Sequence, residues 1–223
     1  MKPTKSILIL LSLFLIFSCD DNSVEPLVCD EGLTNVDGEC IYICEEGVTE
    51  CYYPSDLDVL QDIIDINESL SGKEPLETGS QGWVDGRLTD LNLYHNQLTS
   101  IPESIGNLSS LVSLYLSDNQ LTTLPESIGN LSSLVRLELG GNQLTTIPES
   151  IGNLSSLWLL SLDDNQLTTL PESFGDLSSL EHLYLYDNQL TSLPESICNL
   201  PEICDFDFSN NEASFVLEMS FRR

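Results

Sequence analysis

Positive charge is what this 223-residue chain has least of: 7 Lys and Arg stand against 36 Asp and Glu, a formal net charge of −29. A protein that binds nucleic acid through phosphates needs a basic face to release their counterions, and so few cations cannot build one. Histidine is nearly absent as well, with only His95 and His182 in the chain, 87 residues apart in the sequence. No Gly-rich phosphate loop, no G-x-S-x-G and no H-E-x-x-H occurs, so no motif assembles a nucleophile or a metal for catalysis. The chain therefore reads as non-enzymatic, with no cofactor and no metal site. Long apolar runs are missing too. The longest, Ile7 to Phe17, is interrupted by Ser12 and covers 11 residues, about half of what a spanning helix needs. Disorder is disfavoured, because 41% hydrophobic residues are enough to build a core.

The short apolar run sits behind Lys2 and Lys5, the arrangement of a secretory signal. It ends in Ile16-Phe17-Ser18-Cys19, followed by Asp20-Asp21-Asn22. This resembles the lipobox of bacterial lipoproteins, although Phe17 departs from the small or β-branched residue usual at its position. The resemblance implies a signal peptide over 1–18, a lipidated Cys19 and a polar tether over 19–28. It also implies that the membrane is met only through the lipid, since a body this acidic has no attraction to an anionic bilayer. Acidic residues directly after the lipidated cysteine resemble the surface-export signal of Bacteroidetes lipoproteins, so the expected location is the outer membrane, on the cell surface.

Seven cysteines is an odd number for an exported chain. Setting Cys19 aside as the lipid carrier leaves Cys29, Cys40, Cys44, Cys51, Cys198 and Cys204. Oxidising compartments favour disulfides, and the C-x10-C-x3-C-x6-C spacing lacks the C-x2-C pairs of a zinc knuckle. Two bridges within a Cys-rich segment over 29–54 are expected, with their connectivity open, and a third is expected between Cys198 and Cys204.

The strongest signal is periodicity. Asn96, Asn119, Asn142, Asn165, Asn188 and Asn211 are each 23 residues apart, and the first five open words such as NQLTTLPESIGN. Five copies in register begin at Leu88, Leu111, Leu134, Leu157 and Leu180, and a degenerate sixth begins at Ile203. The frame L-x-x-L-x-L-x-x-N-x-L is identified as the leucine-rich repeat, of the 23-residue class with an LPxxIGxLxxL half. The resemblance implies an α/β fold: a solenoid whose strands form a curved parallel sheet on the concave face, with short helical or 3-10 turns on the convex face. The segment Trp83 to Leu93 is similar to the opening segment of extracellular members of that family.

The columns have a physical reading. Leu111, Leu114 and Leu116 point inward because side chains alternate along a strand. A single coil cannot offset the conformational entropy of its 23 residues and holds only when its neighbours stack. The Asn column is expected to be buried, its amide pairing backbone groups that the turn leaves open. Pro then Glu at 102, 125, 148, 171 and 194 suits the start of a short helical turn. Ahead of the repeats, Ser55 to Ile66 reads as an amphipathic helix with Leu57, Leu60, Ile63 and Ile64 on one face and Ser55 as its N-cap. It heads a helical N-terminal cap over 55–87, the repeats span 88–211, and 212–223 forms a C-terminal cap.

Within each strand the positions between the inward leucines differ from copy to copy. The third position runs Asp90, Ser113, Arg136, Leu159, His182, Asp205, and the fifth runs Asn92, Tyr115, Glu138, Ser161, Tyr184, Asp207. The seventh runs Tyr94, Ser117, Gly140, Asp163, Tyr186, Ser209. Tyrosine and tryptophan are enriched at interface hot spots. The candidate binding surface is therefore Tyr94, Tyr115, Arg136, Glu138, Trp158, Asp163, His182, Tyr184, Tyr186 and Asp187. Its charge is acidic apart from Arg136, which makes a basic protein or peptide the complementary partner. A surface adhesin for glycan or matrix is the alternative, with Ca²⁺ held by Asp163, Asp164 and Asp187.

Overall fold

The computed structural model describes residues 52–201 and 205–212. The lipidation site at Cys19 and the four cysteines expected to pair, Cys29, Cys40, Cys44 and Cys51, lie outside the described residues, as does Cys204. No helix among the described residues is long and apolar enough to cross a membrane.

Among the described residues, one α-helix and a seven-stranded sheet are joined by short 3-10 turns. Helix α1 (Pro54–Ile66) precedes β1 (Ser80–Val84) and β2 (Arg87–Asn92). Five three-residue strands then follow at the repeat spacing: β3 (Ser113–Tyr115), β4 (Arg136–Glu138), β5 (Leu159–Ser161), β6 (His182–Tyr184) and β7 (Asp205–Asp207). Strand order follows chain order, and β2 to β7 are parallel and in register. Each return path carries a 3-10 turn on the ESIGN word, such as Glu126–Asn130.

The inward leucines are sealed: Leu111, Leu114, Leu116, Leu134, Leu137 and Leu139 are all 0% exposed. Across the turn after each strand runs an asparagine ladder. Asn142 Oδ1 accepts the Leu121 N–H at 3.0 Å, and its Nδ2 donates to Leu116 O at 3.0 Å and to Leu139 O at 2.9 Å. Each rung thus ties its own coil to the one before, and Asn119, Asn165 and Asn188 repeat the pattern. Asn96 departs from the expected burial. It is half-buried, and its amide reaches only Tyr94 O, two residues back. Among the described residues no coil precedes the first repeat for Asn96 to bridge. Asn67, at the C-terminal end of α1, takes over instead: its Oδ1 accepts the Thr99 N–H at 2.9 Å while its Nδ2 donates to Ile63 O at 2.8 Å.

The glycine of the ESIGN word sets how closely coils stack. A Cβ on Gly129 would stand 2.3 Å from Ser150 O, and one on Gly152 or Gly175 would stand 2.5 Å from the matching serine oxygen of the next coil. Cys198 occupies this column in the last full coil, where no further ESIGN word follows. Its thiol is exposed and free. Cys198 lies on the outer 3-10 turn Glu195–Asn199, and the partner expected for it, Cys204, lies outside the described residues.

Two features of the cap also differ from expectation. The helix begins at Pro54 with Tyr53 as N-cap, because proline at N1 supplies a preset φ and lacks only a donor that the first turn cannot use. Ser55 lies inside the helix, its hydroxyl on Asp56 Oδ1 at 3.3 Å. After Leu70 the chain makes one short 3-10 turn, Pro75–Glu77, and then a hairpin rather than more α-helix: β1 pairs antiparallel with β2 through the two-residue turn Asp85-Gly86, both at positive φ (49° and 75°). Asp-Gly suits such a turn, whose twist matches the flanking strands. The burial of Leu57, Leu60, Ile63 and Ile64 is as the spacing predicts.

Candidate functional site

The expected surface residues fall on one wall. Register pairs Ser113, Arg136, Leu159, His182 and Asp205 side by side on successive strands, and likewise Tyr115, Glu138, Ser161, Tyr184 and Asp207. Leu159 is the exception in exposure, being buried between its neighbours.

Beyond each strand the ladder continues. Asp118 N–H donates to Gly140 O, Gly141 to Asp163 O and Asp164 to Tyr186 O, all between 2.9 and 3.0 Å. His95, Asp118, Gly141, Asp164, Asp187 and Asn210, each one coil apart, all have φ between 51° and 66°. This left-handed conformation admits Asp, Asn, His and Gly more readily than other residues. The acids of this rim therefore have a conformational cause before any functional one.

On the wall, donors turn toward the wall's own carboxylates. The Tyr94 hydroxyl donates to Asp118 Oδ2 at 2.8 Å, and that bond, with the charge of Asp118, holds the phenol above its ordinary pKa. Asp163 acts on Tyr186 in the same direction. The shared hydrogen bond first, then burial and the charges of Asp163, Asp187 and Asp207, raise its pKa. Ser161 Oγ donates to the same Asp163. Trp158 Nε1 donates to Glu181 Oε2 at 2.8 Å. Arg136 is engaged by Glu138, with Nε at 2.7 Å and Nη2 at 2.5 Å from Oε1, and its guanidinium lies 5.4 Å from the Tyr115 ring centroid. At the far end Asp207 accepts the Ser209 N–H at 2.9 Å, which lowers its pKa. Asp187 accepts from Asn210 Nδ2 at 2.9 Å.

The aromatic side chains form two groups. Tyr94 and Tyr115 lie on the first two coils. Trp158, His182, Tyr184 and Tyr186 lie on the fourth and fifth, with Trp158 edge-on to His182 at 4.6 Å and His182 stacked on Tyr184 at 6.4 Å. Trp158 and Tyr94 keep 37% and 54% of their surface exposed, enough for both to meet a ligand. Nδ1 of His182 is buried without a hydrogen-bond partner.

Asp118 and Glu181, which the sequence reading did not select, fix two of these aromatics. Both lie one column outside the positions compared, and extending the comparison by one column to each side finds them. Among the described residues no three His, Cys, Asp or Glu side chains are placed to hold a metal ion. Asp163, Asp164 and Asp187 therefore do not form the Ca²⁺ site that the adhesin reading invokes.

A family model described as a leucine-rich repeat region matches residues 86–165, and a second, for the leucine-rich repeat itself, matches 156–177 and 179–200. Among solved structures, the chain is 39% identical to a leucine-rich repeat protein of Leptospira interrogans, over 57% of this chain and 33% of that one, with a TM-score of 0.54. It is 30% identical to the leucine-rich repeat ectodomain of the receptor kinase SOBIR1 from Arabidopsis thaliana, over 73% of this chain and 95% of that one, with a TM-score of 0.61. A plant peptide hormone receptor, RGFR1 in complex with RGF2, is 36% identical over 56% of this chain and 21% of its own, with a TM-score of 0.51. The chain thus spans about a third of the Leptospira protein's length and nearly all of the SOBIR1 ectodomain. No curated protein matches it.

Proposed function

The chain belongs to the leucine-rich repeat family, and from that premise we propose that it is a non-catalytic binding module whose concave wall takes a basic protein or peptide. One observation carries the reading. Tyr94, Trp158, Ser161, Tyr186 and Arg136 all direct their donors to carboxylates of the same wall. The wall thereby presents ring faces and carboxylate lone pairs, and a ligand complementary to it brings hydrogen-bond donors and positive charge. A neutral glycan, which offers acceptors as often as donors, is a poorer match. The peptide hormone receptor among the similar structures, itself in complex with RGF2, supports a peptide-type ligand.

The same proposal places the module outside the cell. The signal-like segment over 1–18 exports it, Cys19 carries the lipid, and the acidic residues behind Cys19 direct it to the outer membrane surface. The repeats then stand off the bilayer on the tether and the Cys-rich segment.

Capture of partners from extracellular material by the exported chain tests the reading, set against the same chain carrying Tyr115→Ala and Tyr184→Ala. Loss of the captured proteins from the variant, and their release by moderate salt, is the expected result. Equal recovery by both proteins moves the site off the concave wall. Labelling of Cys19 with a palmitate analogue in the producing cell tests the anchor, and protease shaving of intact cells tests the surface location.

A further inference from the structure

Repetition lets one part of this wall report on another. In β3 and β4, Tyr115 is the register neighbour of Glu138, and Arg136 is the register neighbour of Ser113. There a guanidinium is already bound: Arg136 lies over the Tyr115 ring at 5.4 Å and pairs with Glu138. Three coils on, in β6 and β7, Tyr184 is the register neighbour of Asp207, the same aromatic-acid pair in the same two columns. The position that supplies arginine in the first case is Asp205 in the second. Among the described residues, the cation on the first pair has no counterpart on the second.

We propose that the Tyr184–Asp207 pair is a guanidinium subsite, built like the Tyr115–Glu138 pair, which an arginine side chain of the ligand fills. The inference rests on the concave-wall reading and gives that ligand a specific residue. Three features of the surroundings fit. His182 stacks on Tyr184 and extends its ring surface, and a planar guanidinium uses such a face better than an ammonium does. Asp207 is exposed, and its Ser209 N–H bond favours the charged carboxylate. The side chain at 207 is one methylene shorter than Glu138, and no arginine rises from the neighbouring third position, so the ring is left for a group arriving from outside.

The test uses the exported chain and two short probes, N-acetyl-Gly-Arg-Gly-amide and its citrulline counterpart, which keeps the shape and loses the charge. Ring resonances of Trp158, His182 and Tyr184 are followed by NMR during titration. The arginine probe is expected to shift them saturably and the citrulline probe to leave them in place. Asp207→Asn is expected to weaken the arginine response about tenfold. Asp205→Arg restores the arrangement found at Arg136, so its own guanidinium is expected to occupy Tyr184 and abolish the response to added probe. Thermal melts of both variants close to that of the parent separate these effects from unfolding. An arginine response unchanged in both variants, or matched by citrulline, overturns the subsite. If the probe gives no response while partner capture still depends on Tyr115 and Tyr184, the subsite fails and the concave reading stands. If capture is indifferent to those tyrosines while the arginine response is present and lost in Asp205→Arg, the subsite stands without the wider reading.

Discussion

Arg87 Nη2 meets Asp56 Oδ1 at 2.9 Å across 31 residues of sequence, and Asp56 is fully buried while a quarter of the arginine side chain remains exposed. Asp56 also accepts the Leu88 N–H at 2.9 Å, so one carboxylate fastens helix α1 to the first coil by charge and by backbone. The two partners are not equivalent. Arg87→Ala leaves a buried, uncompensated charge and is expected to cost about 3–5 kcal/mol. Asp56→Asn keeps an acceptor for Leu88 and frees an arginine that can reach water, so about 1–3 kcal/mol is expected. Chemical denaturation of the two variants checks the order. A larger loss from Asp56→Asn contradicts it.

The asparagine ladder predicts a gradient along the rod. Asn142→Leu strands Leu121 N in the interior and takes one of two amide donors from Leu116 O and from Leu139 O, which Asn119 and Asn165 still serve, and at about 1–3 kcal/mol per unpaired buried group a loss of about 1–3 kcal/mol is expected. Asn96→Leu, at a half-buried position with one bond to Tyr94 O, is expected to cost well under half of that. Melting temperatures of the pair provide the comparison, and equal shifts would contradict the ladder.

Coil stacking makes a third prediction. Gly152→Ala drives a methyl against Ser173 O and Cβ at 2.5 and 2.7 Å and is expected to destabilise by about 1–3 kcal/mol. Cys198→Ala, in the same column at the last full coil, is expected to be near neutral. Cys198 should also react with iodoacetamide in the native protein, since its thiol is free and exposed. A peptide map in which Cys198 stays unmodified until reductant is added would instead support the bridge to Cys204.

Two phenols carry the pH prediction. The pKa values of Tyr94 and Tyr186 are raised, by hydrogen bonds to Asp118 and Asp163. A raised folded-state pKa means that these bonds are intact below the ordinary tyrosine value of 10.0 and are lost as the pH climbs through the folded value. Ultraviolet titration of the folded chain should show these two tyrosines ionising late. Asp118→Asn should bring Tyr94 back toward its ordinary value and leave Tyr186 where it was.

Most of the coil was legible in the sequence because every copy states the same constraint. The inward leucines and the strand register follow from the spacing of Leu111, Leu114 and Leu116 repeated down the chain. What escaped was whatever occurs once. Asn67 standing in for a missing rung has no periodic signal. The hairpin has only the single Asp85-Gly86 pair to mark it, which lies outside the repeated columns. The wall residues were legible as positions and not as contacts. That Tyr94 faces Asp118 while Arg136 is already occupied by Glu138 depends on side-chain reach across coils, which no column comparison contains.

The left-handed rim limits how this molecule can change. At the six places from His95 to Asn210 the backbone screens substitutions before any partner does, and it admits a small polar alphabet. A lineage adapting to a new ligand would find valine or isoleucine closed to it there, and could retune the rim only by trading acid for amide, imidazole or nothing. Diversification in size and greasiness is confined to the strand columns beside it, so evolution along this rod has one lane for charge and another for shape.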